Sequence, residues 1–318
     1  MSPEVIEKIL KKTGQPDLIG LLTESLSASE LNSLLLEVFN RSVSRYSAPE
    51  LLRNYQLNRF VKPVDLDFMR FRELETAVLN VFAAFRFQPQ ELSPVSALGS
   101  CSVVAPADQK KILSALRGTE VLADATNALA LHIADLKQTG RWKPGDPSEQ
   151  LRLSAVHRHV RTPMVVHAGH TPHFKIGCLV SAGRDTGDFR FEMQSVAEHL
   201  SVLTAVFRDT LKAENLRFKF MTRGGYDDPV RLLERVRDHI CSQRSDVPIT
   251  LDTEPATSNT YYKGLQYKAL ITVRGQEIEI GDGGFVDWTQ QFLQNRKERL
   301  MTSGIGVEWF YRLMNQTT

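Results

Sequence analysis

Several residue groups in this chain could do chemistry. Five histidines, His157, His159, His167, His170 and His173, fall close together. Imidazole is a common metal ligand, but no cysteine or acidic residue joins the group and nothing resembles H-E-x-x-H. They read as surface or core histidines, with no metal centre. Arg184, Asp185 and Arg190 surround a short loop and could clamp a phosphate or carboxylate, or simply be solvated. Asp124 and Thr126 precede an apolar helical stretch, where they could hold an ammonium group or cap the helix. Tyr261 and Tyr262 could line a small-molecule pocket. If they lie in a strand they point to opposite faces, so at most one does so directly. Ser100 and Cys101 have no base at a fixed spacing, and the GDGG run at 281–284 lacks the context of a dinucleotide fingerprint.

The elements that must position these residues follow from periodicity. Residues 1–62 read as short helices forming a small N-terminal domain, with capping boxes at Ser27/Glu30 and Ser47/Glu50 and a boundary near Pro63. A longer helix carries Phe71, Leu74, Val78, Val81 and Phe85, and FQPQELSPV follows as an extended segment. EVLAD reads as a strand and TNALALHIADL as a helix, with a turn-rich loop at GRWKPGDPSE. HFKIGCLVSAG and DFRFEMQ read as strands around a loop at 184–187, followed by a helix whose apolar face is Val196, Leu200, Leu203, Phe207 and Leu211. RFKFMT and VPITLD are strands either side of the helix RLLERVRDHI, and YKALITV and QEIEIG flank a hairpin turn at Arg274-Gly275. Two helices, DWTQQFLQN and the end of SGIGVEWFYRLM, complete the chain. Hairpin-joined strands packed on helices predict an α+β fold with a largely antiparallel sheet.

Composition sets outer limits. The 318 residues are 42% hydrophobic, enough for a large core. The net charge of +2 gives no strong single-sign field, and no basic stripe with interleaved aromatics stands out, so tRNA or other RNA is not the expected partner. The charged, amphipathic start is no signal peptide, no apolar run spans a bilayer, and three scattered cysteines form no framework. The expectation is a soluble cytoplasmic protein with no membrane partner.

The order of these elements, with four sequence marks, resembles the class II aminoacyl-tRNA synthetase core, in particular the histidyl-tRNA synthetase branch. The long helix and FQPQELSPV are similar to motif 1, which ends near Pro94 and implies a homodimer. EVLADATNALALHIA is similar to the strand, acidic residue and threonine that help hold the amino acid's ammonium group, implying that role for Asp124 and Thr126. HFKIGCLVSAGRDTGDFRFEMQ resembles motif 2, two antiparallel strands around a loop over ATP; Glu192 would lie on the pocket floor. The stretch from SNTYYKGLQYKALI through GDGGFVDW to SGIGVEWFYRL resembles the tyrosine pair Tyr261-Tyr262, a Gly283-Gly284 turn with Asp287, and motif 3. The resemblance covers roughly residues 68–318 and implies a synthetase-like catalytic-fold domain over residues 63–318.

Departures from the pattern bear on activity. Arginines of motifs 2 and 3, which stabilise phosphate charge in the transition state, would fall at Ser181 and Trp309, and a third near Thr257. The sequence also resembles the regulatory subunit of ATP phosphoribosyltransferase, a synthetase paralogue that ends one helix beyond motif 3. Together these imply a non-aminoacylating paralogue that binds an amino acid or similar metabolite and regulates a protein partner. No cofactor is demanded. The alternative is an ATP-dependent enzyme that activates a carboxylate for a non-tRNA acceptor, using Arg184 or Arg190 on the phosphates.

Overall fold

The computed structural model describes residues 3–163, 171–244, 246–254 and 260–315. Four short helices open the chain: α1 (Pro3–Thr13), α2 (Leu18–Glu24), α3 (Ala28–Val43) and α4 (Ala48–Leu57). The capping boxes at Ser27/Glu30 and Ser47/Glu50 both form, each satisfying backbone N–H groups that the first helical turn leaves open. None of the four helices contributes a buried residue. Polar contacts tie this segment to the remainder: the Arg117 N–H donates to Asn32 Oδ1 of α3 at 2.7 Å, and beyond α4 the Lys62 carbonyl meets His173 Nε2 at 2.7 Å.

Helix α5 (Phe68–Ala84) leads to two short strands, β1 (Gln88–Pro89) and β2 (Val95–Ala97). Then come β3 (Thr119–Val121), α6 (Ala125–Gln138), β4 (Leu151–Val160) and β5 (His173–Arg184). Helix α7 (Arg190–Thr204) runs on through a wider turn to Thr210 and is followed by β6 (Glu214–Thr222), α8 (Pro229–Gln243) and β7 (Ile249–Asp252). The chain closes with β8 (Lys263–Val273), β9 (Gln276–Val286), α9 (Trp288–Leu293), β10 (Glu298–Ile305) and α10 (Val307–Asn315).

Eight strands form one sheet in the order β1-β4-β5-β10-β9-β8-β6-β7, antiparallel except for the short outer pairs β1–β4 and β6–β7. Strand β5 shows why it is central. Successive side chains alternate between faces: Leu179 enters the core under α5, α7, α8 and α10, while Cys178, Val180 and Ala182 enter the core under α6 and α9. Burial on both sides makes the strand a near-continuous apolar run. The Arg274-Gly275 turn forms as expected, with φ of 52° and 75°, the backbone a tight β-hairpin needs.

One strand expectation fails. DFRFEMQ is the start of α7, not the second strand of a hairpin. Both edges of β5 are already taken, one by β4 and the other by β10, so no strand could pair where that reading puts one. The helix is favoured because Phe191, Ser195, Val196, His199 and Leu200 are all buried at helical spacing.

Candidate functional site

A cavity of about 790 Å³ opens on the α6 side of the sheet. That is the size of a small-molecule site. Its walls come from the N-terminus of α6, the β4–β5 hairpin, the bend before β8, the middle of β9, and the turn from β10 into α10.

Asp124 anchors one wall. Its Oδ1 accepts the Thr126 N–H at 2.9 Å and the Thr126 hydroxyl at 2.7 Å, which is the helix-cap role. Its Oδ2 accepts the Tyr261 hydroxyl at 2.9 Å. The cap and the pocket contact therefore hold together. Burial first, and Asp124 next, push the Tyr261 hydroxyl well above its ordinary range, so it stays a donor. Tyr261 and Tyr262 both line the cavity, their rings edge-to-face at 4.7 Å. The one-of-two expectation fails because β8 begins at Lys263, leaving the pair in a bend free of strand alternation.

Asp282 lies across the cavity wall, on β9. The Tyr262 hydroxyl and the Gln266 amide donate to it, the latter at 3.2 Å. Arg223 in turn fixes Gln266, donating twice to Oε1 at 2.9 and 2.6 Å. Burial raises the Asp282 carboxyl to about 6, more than its hydrogen bonds lower it. Buried His159 accepts the Ala125 N–H on Nε2 at 3.2 Å, which puts the imidazole proton on Nδ1. Burial lowers its pKa to about 3, so the ring is neutral, and Nδ1 has no hydrogen-bond partner.

Cations gather at the other end. Arg161 stacks over Phe174 and bonds the Ala123 carbonyl, with no carboxylate among the described residues in ion-pair range. Arg158 and Arg312 both pair with the fully buried Glu308, at 3.0 and 2.9 Å. Lys175 pairs with Glu75 at 2.6 Å. Trp309, where the motif 3 arginine was expected, lines the cavity between these groups.

The antiparallel pair beside the cavity is β4–β5, and the arginines at the cavity end of β4 are Arg158 and Arg161. Ser181 is buried and bonded to His199 at 2.9 Å, beneath α7. Arg184 and Arg190 are exposed, and Arg184 stands six residues past Cys178, about 20 Å along β5 from the cavity. Glu192 lies under α7 on the opposite face, accepting Tyr226 and Arg299 at 2.8 and 3.0 Å. Gly283 and Gly284 form no turn: they sit inside β9, where a Cβ would come within 2.7 Å of the Tyr267 and Tyr262 rings respectively. Their role is close packing. His167, His170 and Thr257 lie outside the described residues.

Sequence reasoning passed over Asp282, and over His159 and Arg161 as ligand contacts. The H-x-H-x-R ending of β4 was a usable signal for the latter two. Asp282 had none, because only sheet register opposite Lys268 and Gly304 brings it to the cavity.

No protein-family model matches the sequence, and no curated protein matches it. Solved structures match the fold. The apo histidyl-tRNA synthetase of S. aureus superposes with a TM-score of 0.62 over 81% of this chain and 69% of that one, at 10% identity. An ATP phosphoribosyltransferase regulatory subunit/histidyl-tRNA synthetase from Bacillus halodurans gives 0.63 over 81% and 83%, also at 10%. The chain carries the class II aminoacyl-tRNA synthetase fold. The histidyl-tRNA synthetase of Nostoc sp. PCC 7120 agrees, at 0.59 over 81% and 74% with 14% identity. No described helix is long and apolar enough to cross a membrane.

Proposed function

We propose that this chain is a class II synthetase-fold paralogue that binds an amino acid in the cavity, does not aminoacylate tRNA, and serves a regulatory role with a protein partner. One observation carries the binding half. Asp124 is fixed by its own helix and by Tyr261, yet no Lys, Arg or His among the described residues forms an ion pair with it. A preset carboxylate without a cation suits a ligand ammonium group.

The absence of aminoacylation rests on the cations. Arg158 and Arg312 are both engaged by the single carboxylate of Glu308, and Lys175 by that of Glu75. Phosphate charge developing in a transition state needs preorganised donors that are not otherwise engaged. Ground-state contacts and transition-state contacts are separable, so a site can keep the first without the second. The regulatory role takes its support from the fold shared with a structure described as a regulatory subunit.

Self-association is part of the same proposal. Phe68 and Met69 at the head of α5 are exposed apolar residues on the motif 1-like region. They suit an isologous homodimer contact.

A thermal-shift panel of the standard amino acids, with and without ATP, tests this reading. An amino acid alone should raise the melting temperature, because a ligand that binds only the folded state stabilises it. A panel without any amino-acid response removes the proposal.

A second reading, ATP-dependent carboxylate activation for a non-tRNA acceptor, is favoured by Arg161, which has no carboxylate partner among the described residues and lines the cavity just past the end of β4. Pyrophosphate exchange into ATP with a bound amino acid would establish it, and Arg161→Ala should then abolish the exchange.

A further inference from the structure

The cavity holds more charge than one amino-acid head group needs. Asp124 and Asp282 both line it, and neither forms an ion pair with a basic side chain among the described residues. Each carboxylate is held by one of two adjacent tyrosines, Asp124 by Tyr261 and Asp282 by Tyr262, and the rings touch at 4.7 Å. The two acids are thus set at neighbouring but separate points of one wall. On the Asp124 side stand two donors without acidic partners: the Arg161 guanidinium and the Nδ1–H of His159, a residue only 1% exposed. The His159 Nδ1–H is an unpaired buried polar group, costly unless a ligand completes it, whereas Arg161 lines the cavity as an exposed residue.

We infer that the ligand is an α-amino acid with a cationic side chain: its ammonium group on Asp124, its carboxylate on Arg161 and His159, and its side-chain cation on Asp282. This rests on the amino-acid-binding reading above and names the class of ligand. The relay from Arg223 through Gln266 to Asp282 holds the distal carboxylate in place before binding, which spares ordering cost on association. The same relay leaves the remaining capacity of Asp282 for a donor from the cavity.

Binding of such a ligand is also pH-dependent with a definite sign. The groups facing Asp282 are Gln266 and Lys268 from β8, Glu279 on its own strand, Tyr262 from the bend and Asp124 from α6; β10 offers the backbone at Gly304. Lys268 is occupied by Glu279 at 2.6 Å, so it does not neutralise Asp282. With its carboxyl raised to about 6, Asp282 takes up a proton as pH falls below that value and loses its attraction for a cation.

The test compares L-lysine with L-norleucine, which has the same carbon chain without the terminal ammonium, by calorimetric titration of the full chain at pH 7.5 and 5. L-ornithine, L-arginine and cadaverine, a diamine without a carboxylate, complete the panel. At least one of the three cationic amino acids should bind roughly tenfold or more tightly than norleucine at pH 7.5. That preference should shrink at pH 5 and vanish in Asp282→Asn, the loss of affinity falling on the cationic ligands. Circular dichroism confirms that the variant is folded. Norleucine binding as tightly as every cationic amino acid overturns the inference and leaves the amino-acid site standing, as does a preference that survives in Asp282→Asn. Cadaverine binding as well as lysine overturns the α-amino-acid assignment. No binding by any amino acid removes both this inference and the reading beneath it.

Discussion

Replacing Asp282 by asparagine should stabilise the unliganded protein at neutral pH. Burial raises this carboxyl from 3.8 to about 6. Each unit corresponds to about 1.4 kcal/mol, so the full shift is worth about 3 kcal/mol. Asp282 lies in an open cavity wall that solvent partly screens, and about 1–2 kcal/mol is the better expectation. The sign follows from proton linkage: a carboxyl whose folded pKa is raised favours the folded state below its unfolded pKa, and that advantage is lost as pH rises through about 6. Asparagine carries no charge, so it does not suffer that loss. Its carbonyl can still accept from Gln266 or Tyr262. Urea unfolding at pH 7.5 should show Asp282→Asn more stable than the parent by about 1–2 kcal/mol, and at pH 4 the difference should disappear. A variant that is less stable at pH 7.5, or a difference that does not change with pH, would refute the assignment of Asp282 as a desolvated, uncompensated acid. Stability withheld at one residue for the sake of a ligand is a mark of a functional site.

Other substitutions separate packing from binding. Gly283→Ala places a Cβ 2.7 Å from Ser303 Oγ, the Thr302 carbonyl and the Tyr267 ring, so overpacking should cost about 1–3 kcal/mol in urea unfolding. Ser27→Ala breaks the capping box of α3; as that helix buries nothing, the loss of about 1 kcal/mol should appear as faster amide exchange confined to α3. Light scattering at micromolar concentration should give about twice the 35.9 kDa chain mass, and Met69→Asp on the exposed end of α5 should shift it toward the monomer. A parent protein that is already monomeric contradicts the proposed dimer.

Much of the architecture was written locally. The two capping boxes, the apolar spacing of α5 and α6, and the Arg274-Gly275 turn depend on residues within a few positions of each other, and each forms as its pattern predicts. DFRFEMQ misled because its alternation of apolar and polar residues is also met at the start of α7, where Phe191 is buried and Arg190 exposed. Pairing decided it, and pairing is not local: β10, over a hundred residues later, occupies the edge of β5. The site divides in the same way. Asp124 and Thr126 could be singled out because they open a helix, and the tyrosines because they are adjacent. Asp282, His159 and Arg161 become pocket residues only through the register of β9 and the closing of β4 on β5. Arg184, Arg190 and Glu192 were misplaced by the same shift, since Arg184 ends β5 and the other two open α7, away from the cavity.

The central claim is that Asp124 receives a ligand ammonium group, and Asp124→Asn tests it most directly. Asparagine caps a helix about as well as aspartate, so the unliganded variant should keep its stability to within about 1 kcal/mol. Calorimetric titration with the amino acid that gives the largest thermal shift should then show affinity lower by about 2–5 kcal/mol, the range for breaking a buried charge pair. Affinity unchanged in a folded Asp124→Asn variant would contradict the account.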